Sequence, residues 1–181
     1  MVIRPAVPDD AAGVQEIYAP IVEHTVISFE VDVPSVDELR RRITRTIPLL
    51  PWLVAESAGR IAGYAYASEH QTRQAYRWSV NVSIYLAEEH RGHGLGRRLY
   101  DELLTALRQL GYVSAFAGIT LPNPASIGLH EAMGFEPIGT FPTVGYKQGA
   151  WHEVGWWHLA LIEPPEDPAP PAPWRSGAAG R

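Results

Sequence analysis

The residues from Ser79 to Gly111 constrain the fold of this chain more than any other stretch. Apolar and polar residues alternate from Ser79 to Leu86, a period of two that predicts a β-strand. Leucines then recur every three or four residues as far as Leu110, which predicts a helix with one buried face, and Gly111 is a typical C-terminal stop. Between the strand and the helix stand three glycines, Gly92, Gly94 and Gly96. The stretch therefore predicts a strand, a glycine turn and a helix in direct succession.

A turn of this kind can cradle a phosphate or a pyrophosphate. The first N–H groups of a helix have no partner within it and carry partial positive charge. Glycines let a ligand approach these groups closely, and Arg91 adds a charge at the entrance. A Walker loop needs Gly-Lys-Ser/Thr and a dinucleotide fingerprint needs Gly-x-Gly-x-x-Gly, and Arg91–Arg97 matches neither. The pattern that fits is Arg-x-x-Gly-x-Gly.

The remaining patterns predict the element order β-α-α-β-β-β-α-β-α-β-β. The fold class we expect is α+β, a three-layer arrangement in which a mixed sheet of about seven strands has helices on both faces. One domain should occupy residues 1–162. The tail, residues 163–181, contains six of the 16 prolines and has no periodicity, so we predict that it is disordered.

Composition excludes several classes of function. The chain is 46% apolar and 19% charged with a net charge of −5, which disfavours a nucleic-acid binder. It has no cysteine, so a thiol nucleophile and disulfides are excluded. No apolar run has membrane-spanning length and the N-terminus does not resemble a signal peptide, so we expect a cytoplasmic protein without a membrane partner. His90 and His93 lack a third ligand, and we expect no metal.

Several motifs, in a fixed order from about Val2 to Leu161, resemble the GNAT superfamily of acetyl-CoA-dependent N-acetyltransferases. The resemblance is closest to its phosphinothricin and methionine sulfoximine acetyltransferase branch. The motifs are Tyr76-Arg77-Trp78-Ser79-Val80, Ser83-Ile84-Tyr85, Arg91–Gly96, Leu121-Pro122-Asn123, Leu129-His130-Glu131, Gly134-Phe135 and Gly149–Gly155. The resemblance implies transfer of an acetyl group from acetyl-CoA to the primary amine of a small amino-acid-like substrate, by direct attack in a ternary complex. It also implies a homodimer, and a splay between strands 79–86 and 113–119 that holds the acetyl-pantetheine arm.

The same resemblance assigns residues to the acetyl-CoA site. Ile84, Tyr85 and Leu86 would offer main-chain groups to the pantetheine amides. The pyrophosphate loop would consist of Arg91, Gly92, His93, Gly94, Leu95, Gly96 and Arg97. Asn123 and Ser126 would contact the arm from the opposite strand end. Asn123 is also a typical helix N-cap residue, and the two roles are compatible.

His130 and Asn81 are the catalytic candidates that the resemblance implies. Asn81 stands where the family has its glutamate base, and because an amide cannot accept a proton it would orient the amine or a water. His130 would lie near the sulfur, and an imidazole exchanges protons readily near neutral pH. The alternative for His130 is a packed helix histidine.

Phe29, Arg77 and Asn81 are the substrate-binding candidates. Arg77 could bind a carboxylate in a forked pair, with a surface salt bridge as the alternative. Phe29 could wall a pocket or fill the core. Two other functions stay open: a peptide or protein N-terminal acetyltransferase, and a non-catalytic acyl-CoA-binding module, which Asn81 prompts. Phe29 and the hairpin at 144–151 look able to close a groove, which favours a small substrate.

Overall fold

The computed structural model describes residues 1–174, and its elements follow the predicted order. Short 3₁₀ turns lie at Pro8–Asp10, Gln74–Tyr76 and Glu88–His90. The strands and helices are β1 (Val2–Pro5), α1 (Ala11–His24), α2 (Val36–Thr46), β2 (Trp52–Ser57), β3 (Arg60–Glu69), β4 (Ser79–Leu86), α3 (Leu95–Leu110), β5 (Ser114–Leu121), α4 (Pro124–Ala132), β6 (Glu136–Lys147) and β7 (Ala150–Ala160).

One seven-stranded sheet runs through the molecule in the order β1-β2-β3-β4-β5-β7-β6. All neighbouring strands are antiparallel except β4 and β5, which are parallel. These two strands pair only from Ser79 to Asn81 and from Ser114 to Phe116, although each continues for five more residues. The predicted mixed sheet and the predicted splay between these strands are both confirmed.

Helices cover both faces of the sheet, as the alternation of the strands requires. On one face the buried leucines of α3 pack on Val80 and Val82, in a cluster that also contains Phe135 and Trp157. On the other face α1 and α2 cover Trp52, Val54 and Tyr64. Consecutive side chains of a strand point to opposite faces, so Asn81 and Ser83 lie on the α1/α2 face. This placement decides which side chains can meet at the splay.

The tail packs against the body of the protein, and the prediction that it is disordered is wrong for residues 163–174. Trp174 is 5% exposed and belongs to the larger core cluster. The N–H of Ala172 donates to the carbonyl of Leu110 (2.8 Å), and the indole of Trp78 donates to the carbonyl of Ala169 (2.9 Å). A proline-rich segment loses little chain entropy on ordering, so one buried tryptophan and a few hydrogen bonds suffice to hold it. Residues 175–181 of that prediction lie outside the described part.

Lys147 links the β6–β7 hairpin to the end of α1 through hydrogen bonds. Its side chain is buried, and Nζ donates to the carbonyls of Val22 and Ser28, both at 2.7 Å. Val22 lies in the last turn of α1, where carbonyls lack helical partners and a cation is favoured. This contact orients the hairpin relative to the loop that follows α1.

We expect Lys147→Met to lower the free energy of unfolding by about 2 kcal/mol, since it leaves two carbonyls without their charged donor. Urea denaturation measures the change. Gln148→Met is the matched control, because Gln148 also donates to a carbonyl of this helix end, that of Glu23, but is exposed. A Lys147→Met protein as stable as the control would show that these two hydrogen bonds do not stabilise the contact between the hairpin and α1.

Candidate active site

The turn before α3 has the geometry of an anion cradle. Gly92 (φ 75°) and Gly94 (φ 80°) adopt left-handed backbone angles that other residues rarely take. Gly94 caps the helix, and the first helical bond runs from the N–H of Arg98 to the carbonyl of Gly94. The N–H groups of residues 95–97 therefore have no partner within the helix. They form a ready site for a pyrophosphate.

A cavity of about 430 Å³ opens in front of this turn. It brings together ten of the twelve residues predicted for the acetyl-CoA site: Ile84, Tyr85, Leu86, Arg91, Gly92, Gly94, Gly96, Arg97, Asn123 and Ser126. The other two do not line it. The side chain of Leu95 is buried in the core, and that of His93 is exposed. For these two residues only a main-chain contact fits the geometry.

The splay between β4 and β5 continues this cavity into the sheet. A smaller cavity of about 50 Å³ lies there, lined on one side by Val82–Tyr85 and on the other by Gly118–Thr120. Beyond Asn81, no strand of residues 1–174 pairs with the edge of β4 that faces β5. An extended chain carrying amides can pair with such an edge as an added strand would. The acetyl-pantetheine arm has that chemistry, so the residues present fit acetyl-CoA.

Asn123 caps α4 as the sequence suggested. Its side-chain oxygen accepts from the N–H of Ser126 (3.1 Å). The amide N–H₂ is left for a ligand in the cavity that both residues line. The capping role and the binding role are therefore compatible in the geometry.

His130 is buried at the inner end of the splay, with both ring nitrogens bonded to protein. Nδ1 donates to the carbonyl of Ser126 (2.8 Å), which can only accept, so Nε2 is the acceptor for the hydroxyl of Tyr100 (2.9 Å). Burial lowers the pKa of His130 and raises that of Tyr100. Both residues line the small cavity. Nε2 of His130 therefore reaches a ligand there through the hydroxyl of Tyr100, while the hydroxyl of Ser126 lies 3.3 Å from Nδ1. The sequence pattern around Tyr100, a helix of leucines, did not indicate this contact.

Asn81 contacts a histidine that the sequence did not single out. Its side-chain oxygen lies 2.8 Å from Nδ1 of His70, and its N–H₂ donates weakly to the carbonyl of Glu69 (3.4 Å). The ring of His70 stacks on Phe116, with 4.4 Å between the centroids. His70 lies eleven residues before Asn81 in an irregular connection, so spacing gave no hint of the pair.

The two other substrate-binding candidates lie apart from each other. Phe29 is 37% exposed and packs over the backbone of Gly145 in the β6–β7 hairpin, so it is not a core residue. Arg77 is exposed and forms no salt bridge in the described residues; it donates to the side chain and the carbonyl of Gln74. Arg77 follows the 3₁₀ turn that places Tyr76 edge-on to His70.

A further cavity, of about 300 Å³, lies between α2 and the sheet on the face of Asn81. Stacked rings of Trp52, Tyr64 and Tyr66 form one wall. Arg42 stands opposite and pairs with Glu30. Ser68, also in the lining, is the strand partner of Asn81, so the cavity adjoins the splay. No sequence pattern predicts this cavity, because its walls come from four separate elements.

Residues 1–174 contain neither a metal-binding cluster nor a membrane-spanning helix. No cluster of three or more His, Cys, Asp or Glu side chains is arranged to hold a metal in that range. Nor does any helix in it have the length and apolar character needed to cross a membrane.

Comparison with known proteins gives one family over most of the chain. Residues 3–156 match the model of the acetyltransferase (GNAT) domain. The chain is 40% identical over 173 residues to a phosphinothricin N-acetyltransferase of Streptomyces viridochromogenes, covering 96% of this chain and 92% of that protein. It is 35% identical to an L-methionine sulfoximine/L-methionine sulfone acetyltransferase of Salmonella typhimurium, covering 90% and 96%.

Solved structures give the same result. The acetyltransferase yncA of Salmonella typhimurium, in complex with acetyl-CoA, superposes with a TM-score of 0.88 at 34% identity over 93% of this chain and 98% of that chain. A phosphinothricin acetyltransferase of Sinorhizobium meliloti, also with acetyl-CoA, gives 0.87 at 36% identity over 97% and 98%.

Proposed function

This chain belongs to the GNAT acetyltransferase family and is an acetyl-CoA-dependent N-acetyltransferase, and we propose that its acceptor is the primary amine of a small amino-acid-like substrate. Compounds of the phosphinothricin and methionine sulfoximine type are the first candidates, because relatives that act on them are 35–40% identical to it. The amine attacks the thioester directly, in a ternary complex and without a covalent enzyme intermediate. One observation carries the proposal: the free N–H groups at the start of α3 and the unpaired edge of β4 open into one cavity.

The two ends of the cavity have different tasks. At the outer end, the cradle of residues 92–97 holds the pyrophosphate. The partial positive charge at the start of α3 attracts this anion, and the free N–H groups can donate to it. At the inner end, a main-chain N–H on the β4 edge stabilises the oxyanion that develops on the thioester carbonyl. Tyr100, held by its hydrogen bond to Nε2 of His130, is the proton route to the departing sulfur. Its hydroxyl hydrogen turns from Nε2 towards the sulfur, and its oxygen takes up a proton that the amine nitrogen loses.

Arg77 is our proposed anchor for a carboxylate of the substrate. Its remaining guanidinium N–H groups can form a charged pair, and its loop reaches the site through Tyr76. We expect Arg77→Gln to raise KM for the amine roughly tenfold, the effect of one lost charged hydrogen bond. KM for acetyl-CoA should stay the same, and steady-state kinetics with each substrate varied in turn would measure both. An unchanged KM for the amine would show that Arg77 does not bind the substrate.

We also propose that the protein is a cytoplasmic homodimer, as the branch it resembles suggests. The β6–β7 hairpin supports the dimer, because several large apolar side chains are exposed along it: Ile138, Phe141, Val144, Tyr146 and Trp151. A second copy of this chain is the occupant we assign to this surface. Light scattering coupled to size-exclusion chromatography, on the wild type and on Phe141→Lys, decides the point. A wild type that runs as a monomer would refute it.

The substrate proposal is tested by thiol release from acetyl-CoA with a panel of acceptors. The panel contains phosphinothricin, methionine sulfoximine, common L-amino acids and short peptides with free N-termini. We expect turnover with one or more of the small amines and little with the peptides. Turnover with peptides alone would replace the proposal by an N-terminal acetyltransferase, and no turnover with any amine would remove it.

A further inference from the structure

The amine that attacks the thioester must first lose a proton, and the central strand offers no group that can take it. An amine with a pKa of about 9–10 is almost entirely cationic at neutral pH. Asn81 has only an amide, which is not basic. Among the residues hydrogen-bonded to the Asn81 side chain, His70 alone has a basic nitrogen.

The contact between these two side chains fixes the state of the imidazole. The amide nitrogen of Asn81 faces the carbonyl of Glu69, so the amide oxygen faces His70. An amide oxygen can only accept, and therefore Nδ1 of His70 carries the hydrogen. In the neutral ring this leaves the lone pair on Nε2. The imidazolium that forms on protonation keeps the same hydrogen bond to Asn81, so proton uptake requires no rearrangement.

The His70–Asn81 pair lies where β4 and β5 begin to separate. Asn81 and Phe116 are the last partners before β4 and β5 separate, and the His70 ring lies on Phe116. Ser83, the next residue of β4 on this face, lines the small cavity, about 7 Å further along the strand. A substrate amine at the mouth of the small cavity would therefore lie close to the His70–Asn81 pair.

The surroundings leave His70 accessible and include a hydrogen-bond donor that residues 1–174 leave unpaired. His70 is half-buried. Trp156, whose ring centroid lies 6.2 Å from that of His70, has a buried indole N–H without a partner in residues 1–174. Native proteins rarely leave such a donor unpaired unless a ligand or a water fills the position. Other titratable side chains near His70 are Tyr76, edge-on to its ring, His158, on the same Phe116 ring, and Glu69, the preceding residue in the chain.

We infer that His70 is the proton acceptor of the acetyl transfer, with Asn81 as the residue that orients it. Nε2 takes a proton from the substrate ammonium, and the neutral amine forms the C–N bond as the C–S bond breaks. The nitrogen then loses its second proton to Tyr100, whose hydroxyl hydrogen goes to the departing thiolate. The sulfur leaves as the thiol, and His70 returns its proton to solvent. The inference rests on the proposed function and adds a residue to its mechanism.

His70→Gln tests the inference, since glutamine keeps a polar side chain but has no basic nitrogen. We expect kcat/KM at pH 7 to fall at least ~100-fold, the usual contribution of a general base. The loss should shrink as the pH approaches the pKa of the amine, because the neutral amine needs no base. Binding of acetyl-CoA should not change. His24→Gln is the matched control, an exposed histidine at the end of α1 that should keep full activity.

A second substitution separates a chemical from a structural role. Adding Asn81→Glu to His70→Gln puts a carboxylate, which can accept a proton, at position 81 beside the lost imidazole. The double variant should recover at least tenfold of the lost kcat/KM. If the wild type is active and the kcat/KM of His70→Gln lies within about twofold of the wild-type value, the inference is overturned. It is also overturned if kcat/KM falls equally at every pH and Asn81→Glu recovers none of the loss. A wild type without turnover on any acceptor would instead refute the proposed function.

Discussion

Gly94→Val should weaken the binding of acetyl-CoA by about 100-fold or more. Gly94 caps α3 with a φ of 80°, and a branched side chain there strains the turn and so displaces the N–H groups of residues 95–97 from the geometry that a pyrophosphate needs. Losing two charged hydrogen bonds to a pyrophosphate costs about 3 kcal/mol, which corresponds to that factor. Isothermal calorimetry with acetyl-CoA on the purified variant gives the change directly.

Gly111→Val supplies the control at the other end of the same helix. Gly111 has a φ of 88°, so valine introduces similar backbone strain there, but far from the cradle. Both variants should lose comparable thermal stability, and only the Gly94 variant should lose acetyl-CoA. Equal affinities for the two variants would show that the turn before α3 does not hold the pyrophosphate.

Trp174→Ala should lower the free energy of unfolding by about 3 kcal/mol, the usual cost of removing a large buried aromatic side chain. Trp174 is 5% exposed, and its side chain packs in the same cluster as the leucines of α3. Its main-chain N–H, which alanine keeps, donates to the carbonyl of Leu49 (3.1 Å). Chemical denaturation followed by circular dichroism measures the loss. A chain that ends at Ile162 should lose at least as much.

Glu166→Ala is the control within the same segment, because Glu166 is exposed and an alanine there should change stability by less than about 0.5 kcal/mol. A Trp174→Ala protein as stable as Glu166→Ala would mean that the tail is not part of the folded unit. The original prediction of disorder from residue 163 would then regain its support.

The sequence was sufficient for the order of the elements because each has a local pattern. The alternation in β4, the leucine spacing in α3 and the Ser35 cap of α2, which accepts from Glu38 at 3.2 Å, are signals within a few residues of one another. The tail was different. Its prolines indicated disorder locally, whereas Trp174 packs in a cluster with the leucines of α3, and its main-chain N–H bonds to Leu49, which is distant in the chain.

The same distinction holds within the site. The residues of the cradle are adjacent in the chain, so their motif predicted a cavity that the structure also contains. The His70–Asn81 and Tyr100–His130 contacts join separate elements, and no spacing rule predicts them. The resemblance to the family drew attention to Asn81 and His130, but the hydrogen bonds that decide which nitrogen is free became visible only in three dimensions.

Titration of the well-folded wild-type protein with acetyl-CoA in a calorimeter tests the central claim most directly. If the start of α3 and the edge of β4 together hold this thioester, the titration shows saturable binding of one molecule per chain, and desulfo-coenzyme A, which keeps the pyrophosphate, competes for the same site. A folded protein that releases or absorbs no heat with either compound, and shows no thermal stabilisation by them, would contradict the claim.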